Sequence, residues 1–241
     1  GADDWPNHNW WAARRRDAES TGFKFFAWDQ EISNNSLIKQ HSSWGPLYAE
    51  VNAAGTPAYL YAACRYNADF RQLFADRVQQ HLFHGGPLSL EQNIARWNSR
   101  AAEVDHAVVA ESARWGDFRR PGQPYLRERE WLTNHLWMQN TYFPSNHTIA
   151  LRRFRAANLF PSLLAPELTP RGGTLPPGSR IDLGNPNANG LIYYTTNGED
   201  PRRPGGDVSP SAIIATSPLT LDTSVRIRAR TRTGTDRKSV V

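Results

Sequence analysis

Hydrophobic and aromatic residues first occur in two short runs near the N-terminus. The runs NWWAARRR (9–16) and FKFFAWD (23–29) are separated by DAESTG, a polar stretch that ends in glycine. This pattern predicts a β-hairpin with a longer loop. Pairing Arg16 with Phe23 sets a register in which Trp10 faces Asp29, so the open end of the hairpin gathers the residues around Asn9 and Asp29.

From about residue 67 to 160, apolar residues recur at helical spacing and predict four helices. Asn67 is positioned to cap the first, which ends at Gly85-Gly86, and Ser89 to cap the second, with Gln92 at the capping-box position. The third includes the segment 131–137, and the fourth follows Pro144 and ends near Asn158. The apolar positions are Phe70, Leu73, Phe74, Val78 and Leu82; Ile94, Trp97, Ala101 and Val104; Trp131, Leu132, Leu136 and Trp137; and Ile149, Leu151 and Phe154.

Beyond about residue 166 the pattern changes to short alternations separated by Gly, Pro, Thr and Asn. GLIYYTTNGEDPR combines an alternating run with the turn signal Asn197-Gly198. In SVRIRARTRTG, Val225, Ile227 and Ala229 alternate with arginines, which predicts one buried and one charged face. Short strands with turns between them predict a small β-sandwich.

The predicted fold class is therefore α+β, with a mostly helical domain that carries the hairpin and a small all-β module. The predicted boundaries are 1–160 for the first domain, 161–178 for a Pro/Gly-rich linker, and 179–241 for the β-sandwich. The linker reads FPSLLAPELTPRGGTLPPG in context and suits a semi-rigid spacer.

Composition narrows the classes of function. The chain has 241 residues, with 28 Lys and Arg against 23 Asp and Glu and a formal charge of +5, and most of the positive charge is arginine. No named nucleic-acid-binding motif is present, and no apolar run approaches the ~20 residues of a membrane span. Cys64, the single cysteine, excludes an internal disulfide and a cysteine-based zinc site, and we expect it to be a buried small hydrophobe.

The candidate chemistry lies at the open end of the hairpin. Asp4, Asn9 and Asp29 are predicted to converge there, with Glu31 two residues beyond Asp29. Oxygen ligands of this kind suit Mg²⁺ or Mn²⁺ held together with a phosphate. Asp4 and Asn9 have the D-x-x-x-x-N spacing of a kinase catalytic loop, and Asp29 stands where a second metal-binding acid would follow. Acids that only cap loops at the hairpin are the alternative.

These same segments resemble a known family. DDWPNHNWWAARRR, FKFFAWDQE and AEVDHAVVAESARWGD are similar to bacterial members of the spore-coat CotH kinase family, over residues 1 to 160. The resemblance implies the C-terminal lobe of an atypical protein-kinase-like fold that binds ATP with Mg²⁺ or Mn²⁺ and phosphorylates Ser or Thr hydroxyls of proteins. It assigns the catalytic acid to Asp4, and metal and nucleotide binding to Asn9 and Asp29.

The sequence departs from the family pattern in two places. No glycine loop and no ATP-holding lysine precede Asp4, because Lys24 and Lys39 both follow it. We therefore expect the chain to be a fragment, with an N-terminal lobe and a signal sequence encoded upstream. The acidic segment reads D-Q-E where D-x-D would suit two ligands, so Glu31 is the least well supported metal ligand.

GLIYYTTNGEDPR is similar to the hallmark of chitobiase/β-hexosaminidase C-terminal β-sandwich modules, with Asn197 in place of the usual Asp. Such modules are commonly appended to exported bacterial proteins. The resemblance implies an extracellular or cell-envelope location and raises cell-wall or extracellular polysaccharide as a partner, while nucleic acid is not expected.

Two other functions are left open by the sequence. The first is a non-catalytic surface scaffold in which the kinase-like fold is retained without activity, and the scarcity of ATP outside cells favours it. The second is a glycosidase, since carboxylates and a chitobiase-type module occur together. The helical content around the acids and the D-x-x-x-x-N spacing fit a glycosidase poorly.

Overall fold

A computed structural model describes residues 9–28, 55–216 and 218–234 of the chain. Two compact units are present: residues 1–63 together with 81–153, and residues 64–80 together with 154–241. The described residues contain both helices and small antiparallel sheets, so the predicted α+β class is confirmed at that level. The kinase-like arrangement and the predicted domain boundaries remain predictions.

The predicted hairpin is present, with β1 at Trp10–Ala13 and β2 at Lys24–Ala27 in an antiparallel pair. Its predicted register was wrong by two residues, because Trp10 pairs with Ala27 rather than with Asp29. A ten-residue connection does not fix a register in the way that a two-residue turn does. The observed register brings the ring centroids of Trp10 and Phe25 to 6.0 Å, across a diagonal of the pair.

The remaining described residues of the first unit are mostly helical. Its longest helix, α3, spans Leu90–Trp115, and Ser89 occupies the N-cap position with extended backbone but without a side-chain cap hydrogen bond. The third and fourth predicted helices form one helical run from 127 to 156, in which π-helical turns at Arg127–Trp131 and Met138–Tyr142 alternate with α4 (Leu132–Trp137) and α5 (Phe143–Ala156). Pro144, which has no N–H to donate, is the second residue of α5, close to the end of the π-helical turn at Tyr142.

Two helices precede this run. Helix α1 spans Pro57–Cys64, and Cys64 at its end is exposed, so the prediction that it is buried was wrong. Helix α2 spans Ala68–Leu82. The predicted cap is confirmed, because the backbone N–H groups of Asp69 and Phe70 both donate to Asn67 Oδ1, at 2.8 and 3.0 Å.

Asn158 ends the helical run as predicted. It adopts a left-handed conformation with φ of 59°, directly after the last helical turn. The N–H of Leu159 donates to the carbonyl of Phe154 at 2.8 Å, and that of Asn158 donates to Arg155 at 2.9 Å. This pair of hydrogen bonds is the Schellman motif, and Leu159 beyond it is 1% exposed.

The second unit contains two three-stranded antiparallel sheets, which we call the β-module (residues 167–232). One sheet has the order β3-β4-β7 and the other β6-β5-β8. The buried apolar residues include Ile181, Ile192 and Ala229. The strands are β3 Glu167–Thr169, β4 Ser179–Gly184, β5 Leu191–Thr195, β6 Ile213–Ile214, β7 Leu219–Leu221 and β8 Arg228–Arg232.

Strand β8 differs from its predicted pattern. Val225 is 39% exposed and lies before the strand, whereas Arg230, expected on the charged face, is only 2% exposed. Ala229, Arg230 and Thr231 are all buried, so both faces of the strand are covered. An arginine at this depth needs carboxylate partners, since an unpaired buried charge is strongly unfavourable.

Candidate functional site

Asn9 is the predicted site residue that lies within the described structure. It directly precedes β1, and its side chain and backbone are together only 4% exposed. The backbone N–H of Trp28 donates to the carbonyl of Asn9 at 3.2 Å, which continues the β1–β2 ladder by one further pair. Asn9 therefore faces Trp28, the residue that Asp29 follows in the sequence.

The other end of the hairpin is stabilised by local polar contacts. The N–H of Ser20 donates to the carbonyl of Asp17 at 3.1 Å, and Arg15 forms ion pairs with Asp17 and Glu19, both at 2.9 Å. Aromatic side chains along the hairpin are widely exposed, among them Trp11 at 71% and Phe26 at 57%.

Asp4, Asp29 and Glu31, the predicted catalytic and metal-binding acids, lie outside the described residues. Their convergence with Asn9 stays a prediction. Within residues 9–28, 55–216 and 218–234, no group of three or more His, Cys, Asp or Glu side chains could hold a metal ion. Asn9 alone would thus supply a single amide ligand, a type that Mg²⁺ accepts in combination with carboxylates.

A polar cleft of about 330 Å³ occurs in the first unit, between α3 and the 127–156 run. Ala101 and Asp105 are among the residues that line it. The Asp105 carboxylate accepts two hydrogen bonds from Arg127, at 2.9 and 2.6 Å, and one from Trp131 Nε1 at 3.3 Å. These contacts, led by the Arg127 hydrogen bond, lower the pKa of Asp105 and hold it ionised.

Three other residues that line the cleft, Asn98, His135 and Gln139, form a chain of polar contacts with Trp97. Trp97 Nε1 donates to His135 Nδ1 at 3.1 Å. Gln139 Nε2 donates to Asn98 Oδ1 at 2.6 Å and lies 2.5 Å from His135 Nε2. Trp97, His135, Gln139 and Asn98 thus fix one another's orientation, and they join α3 to the helical run.

In the second unit, five charged residues form what we call the arginine clamp: Asp69, Asp76, Asp200, Arg202 and Arg230. Arg230 donates to both oxygens of Asp200, at 2.6 and 2.5 Å, and to both oxygens of Asp76, at 2.9 and 2.7 Å. Arg202 pairs with Asp69 at 2.6 Å.

Protonation within the clamp follows from these contacts. Burial opposes ionisation of Asp200, but hydrogen bonds and charge from Arg230 outweigh burial and lower its pKa. Burial likewise opposes the charge of Arg230, yet its bonds to Asp200 and Asp76 raise its pKa. Arg202 and the N–H of Gly205 lower the pKa of Asp69. Asp69, Asp200 and Arg230 are therefore charged at neutral pH.

A larger cleft of about 520 Å³ lies in the β-module. It is lined by the loop from Pro170 to Pro177 and by residues 221–227, and it contains none of the predicted site residues. No aromatic ring lines it, so it lacks the flat surface on which sugars stack. Tyr193 and Tyr194 lie on β5 between β6 and β8, where they are half-buried.

The sequence analysis missed both charge clusters. A signal for the clamp was available, because Asp69 and Asp76 are seven residues apart and so lie on one face of α2. Arg230 was assigned to the exposed face from strand alternation alone, and alternation does not distinguish a solvated arginine from a paired one. The Asp105–Arg127 pair links positions 22 apart, with no local sequence signal.

Compared with family models, with curated proteins and with solved structures, the chain matches none of them.

Proposed function

We propose that this chain carries the catalytic part of an atypical kinase of the CotH type, which transfers the γ-phosphate of ATP to a Ser or Thr hydroxyl of a protein with Mg²⁺ or Mn²⁺. The observation that supports this function is the position of Asn9. It is buried at the end of the β1–β2 pair, opposite the residue that precedes Asp29. An amide oxygen and a carboxylate that lie close together are suitable ligands for one cation.

In this proposal each residue has a distinct role. Asp4 accepts the proton of the acceptor hydroxyl as the hydroxyl oxygen attacks phosphorus. Asn9 and Asp29 hold the cation against the triphosphate, and Glu31 is a further candidate ligand. The cation, when bound, offsets the negative charge that the phosphate oxygens carry during transfer. Burial of Asn9 fixes its side chain and reduces the entropy lost on binding.

The alternative is a non-catalytic scaffold of the cell surface or envelope, with or without polysaccharide binding by the β-module. The absence of aromatic rings from the larger cleft gives that cleft little support as a sugar site. Nucleotide binding discriminates between kinase and scaffold, because a scaffold has no need of it.

The test is Mg²⁺-dependent ATP binding and transfer by the complete gene product, measured by calorimetry and by phosphate incorporation into a protein substrate mixture. We expect Asp29→Asn to abolish metal-dependent ATP binding. Asp4→Asn should retain binding but lower the transfer rate by about 10²–10⁴-fold, since general-base catalysis contributes that much. Asp17→Asn is the control, because it removes an exposed acid of the same hairpin that pairs only locally with Arg15.

Undiminished ATP affinity in Asp29→Asn would contradict the site assignment. A wild-type product that binds no nucleotide would favour the scaffold.

A further inference from the structure

Helix α2 buries an unusual set of side chains for a helix that packs on β-sheets. Its buried residues are Gln72, Ala75 and Val78, one of them polar and one with a single methyl group. Leu73, predicted for the apolar face, is 53% exposed. Phe74 does contact Phe154, with ring centroids 5.2 Å apart. Apolar burial along α2 is nevertheless modest, and hydrophobic packing is not directional.

Ion pairs give the position of α2 the directional specificity that its apolar packing lacks. Asp69 and Asp76 stand two turns apart on one face of α2, and each pairs with a different arginine of the β-module. Arg230 contacts Asp76 through two parallel hydrogen bonds, a geometry that fixes direction as well as distance. A shift of α2 by one turn would break both pairs and leave Arg230 with one carboxylate.

The loop after β5 carries Arg202 and, through Asp200, also contacts Arg230 on β8. Asp200 accepts a hydrogen bond from the backbone N–H of Arg202 at 2.8 Å, and its two oxygens also receive Nε and Nη2 of Arg230. A single carboxylate thus orients both arginines. The N–H of Gly205, in the same loop, adds a further donor to Asp69 at 3.1 Å.

We propose that the GEDPR loop and Arg230 form a docking site for a helix that bears carboxylates seven residues apart, and that α2 of this same chain is the partner. The β-module then acts as an internal receptor that orders α2. The proposal is independent of kinase activity, since it uses no residue of the hairpin.

The experiment is hydrogen exchange followed by mass spectrometry on the full chain at one pH. The variants are Asp69→Asn, Asp76→Asn and the pair together, which keep side-chain shape and remove charge. Asp182→Asn is the matched control, because Asp182 is an exposed acid on β4 of the same unit and has no ion pair in the described structure.

In the double variant we expect exchange over α2 to rise by about tenfold or more, while β5 and β8 stay within about twofold of wild type. Asp69→Asn alone should raise exchange selectively in the first turns of α2. If the double variant does not fold, this milder variant tests whether the ion pairs order α2. Unchanged exchange in α2 would overturn the proposal. An equal rise in exchange across α2, β5 and β8 would also overturn the proposal. The ion pairs of Asp69 and Asp76 would then stabilise the whole second unit rather than α2 in particular.

Discussion

Arg230 is an arginine almost removed from water, with 2% of its surface exposed and a carboxylate on each side. Such a group is stable in the fold only because its donors are matched by acceptors in fixed positions. Gln72 also donates to Asp76 at 2.9 Å, which holds that carboxylate towards the guanidinium. Within the clamp, Arg230 is therefore the residue that holds Asp76 and Asp200 together.

Replacing Arg230 by Met should destabilise the fold by about 3–5 kcal/mol, because Asp76 and Asp200 are left facing each other without a cation. The free energy of unfolding in urea measures this effect. Arg180 is an exposed arginine on β4, so Arg180→Gln is the control. This substitution should change the free energy of unfolding by less than about 0.5 kcal/mol. A small effect of Arg230→Met would mean that water replaces the guanidinium at little cost.

The Asp105–Arg127 ion pair should make the free energy of unfolding decrease at low pH. Arg127 lowers the pKa of Asp105, so the stabilisation is fully present above the pKa of an unfolded Asp, about 3.9, and is lost as the pH falls through the lower folded pKa. We expect wild type to lose more stability than Asp105→Asn between pH 5 and about pH 2. Urea midpoints across this range give the comparison, and parallel curves would contradict it.

Among the elements, α2 owes its start to one side chain. Asn67 Oδ1 accepts the N–H groups of both Asp69 and Phe70, which otherwise lack partners within the helix. Asn67→Ala should lower the free energy of unfolding by about 1 kcal/mol, whereas Asn67→Ser or Asn67→Asp should largely retain it. Thermal unfolding of the three variants checks the ranking, and equal losses in all three would exclude a capping role.

The end of the helical run offers the complementary test. Asn158 holds a left-handed conformation that glycine adopts without strain, so Asn158→Gly should be nearly neutral. Asn158→Val should destabilise by about 1–2 kcal/mol, because a β-branched side chain is unfavourable at positive φ. Chemical unfolding of the two variants measures the difference, and a tolerated valine would show that the turn relaxes.

Element ends were readable from the sequence, while buried faces and register were not. Asn67 and Asn158 mark helix ends because their side chains and backbone preferences act locally. Leu73 is exposed and Gln72 is buried, since the covered face of α2 is set by partners distant in sequence, such as Arg202, which is 133 residues from Asp69. The hairpin register was missed for the related reason that its long loop leaves strand pairing to contacts beyond the loop.

At the scale of the whole molecule, the candidate site could be predicted only as far as short-range spacing allows. The D-x-x-x-x-N spacing indicated Asn9, which is buried opposite Trp28, and its convergence with Asp4 and Asp29 stays a prediction. The clamp and the Asp105–Arg127 pair join residues distant in sequence, and no pattern in a single sequence predicts such pairs. Among the described residues no helix is long and apolar enough to cross a membrane, as composition had indicated.

The arginine clamp also has a consequence for the order in which the chain folds during synthesis. It joins Asp69 to Arg202 and Asp76 to Arg230, across 133 and 154 residues. Helix α2 leaves the ribosome long before Arg202 and Arg230 are synthesised. Until then, Asp69 and Asp76 have no arginine partner and are solvated by water. Closing so long a loop is slow, and α2 should therefore be among the last elements to acquire native protection on refolding.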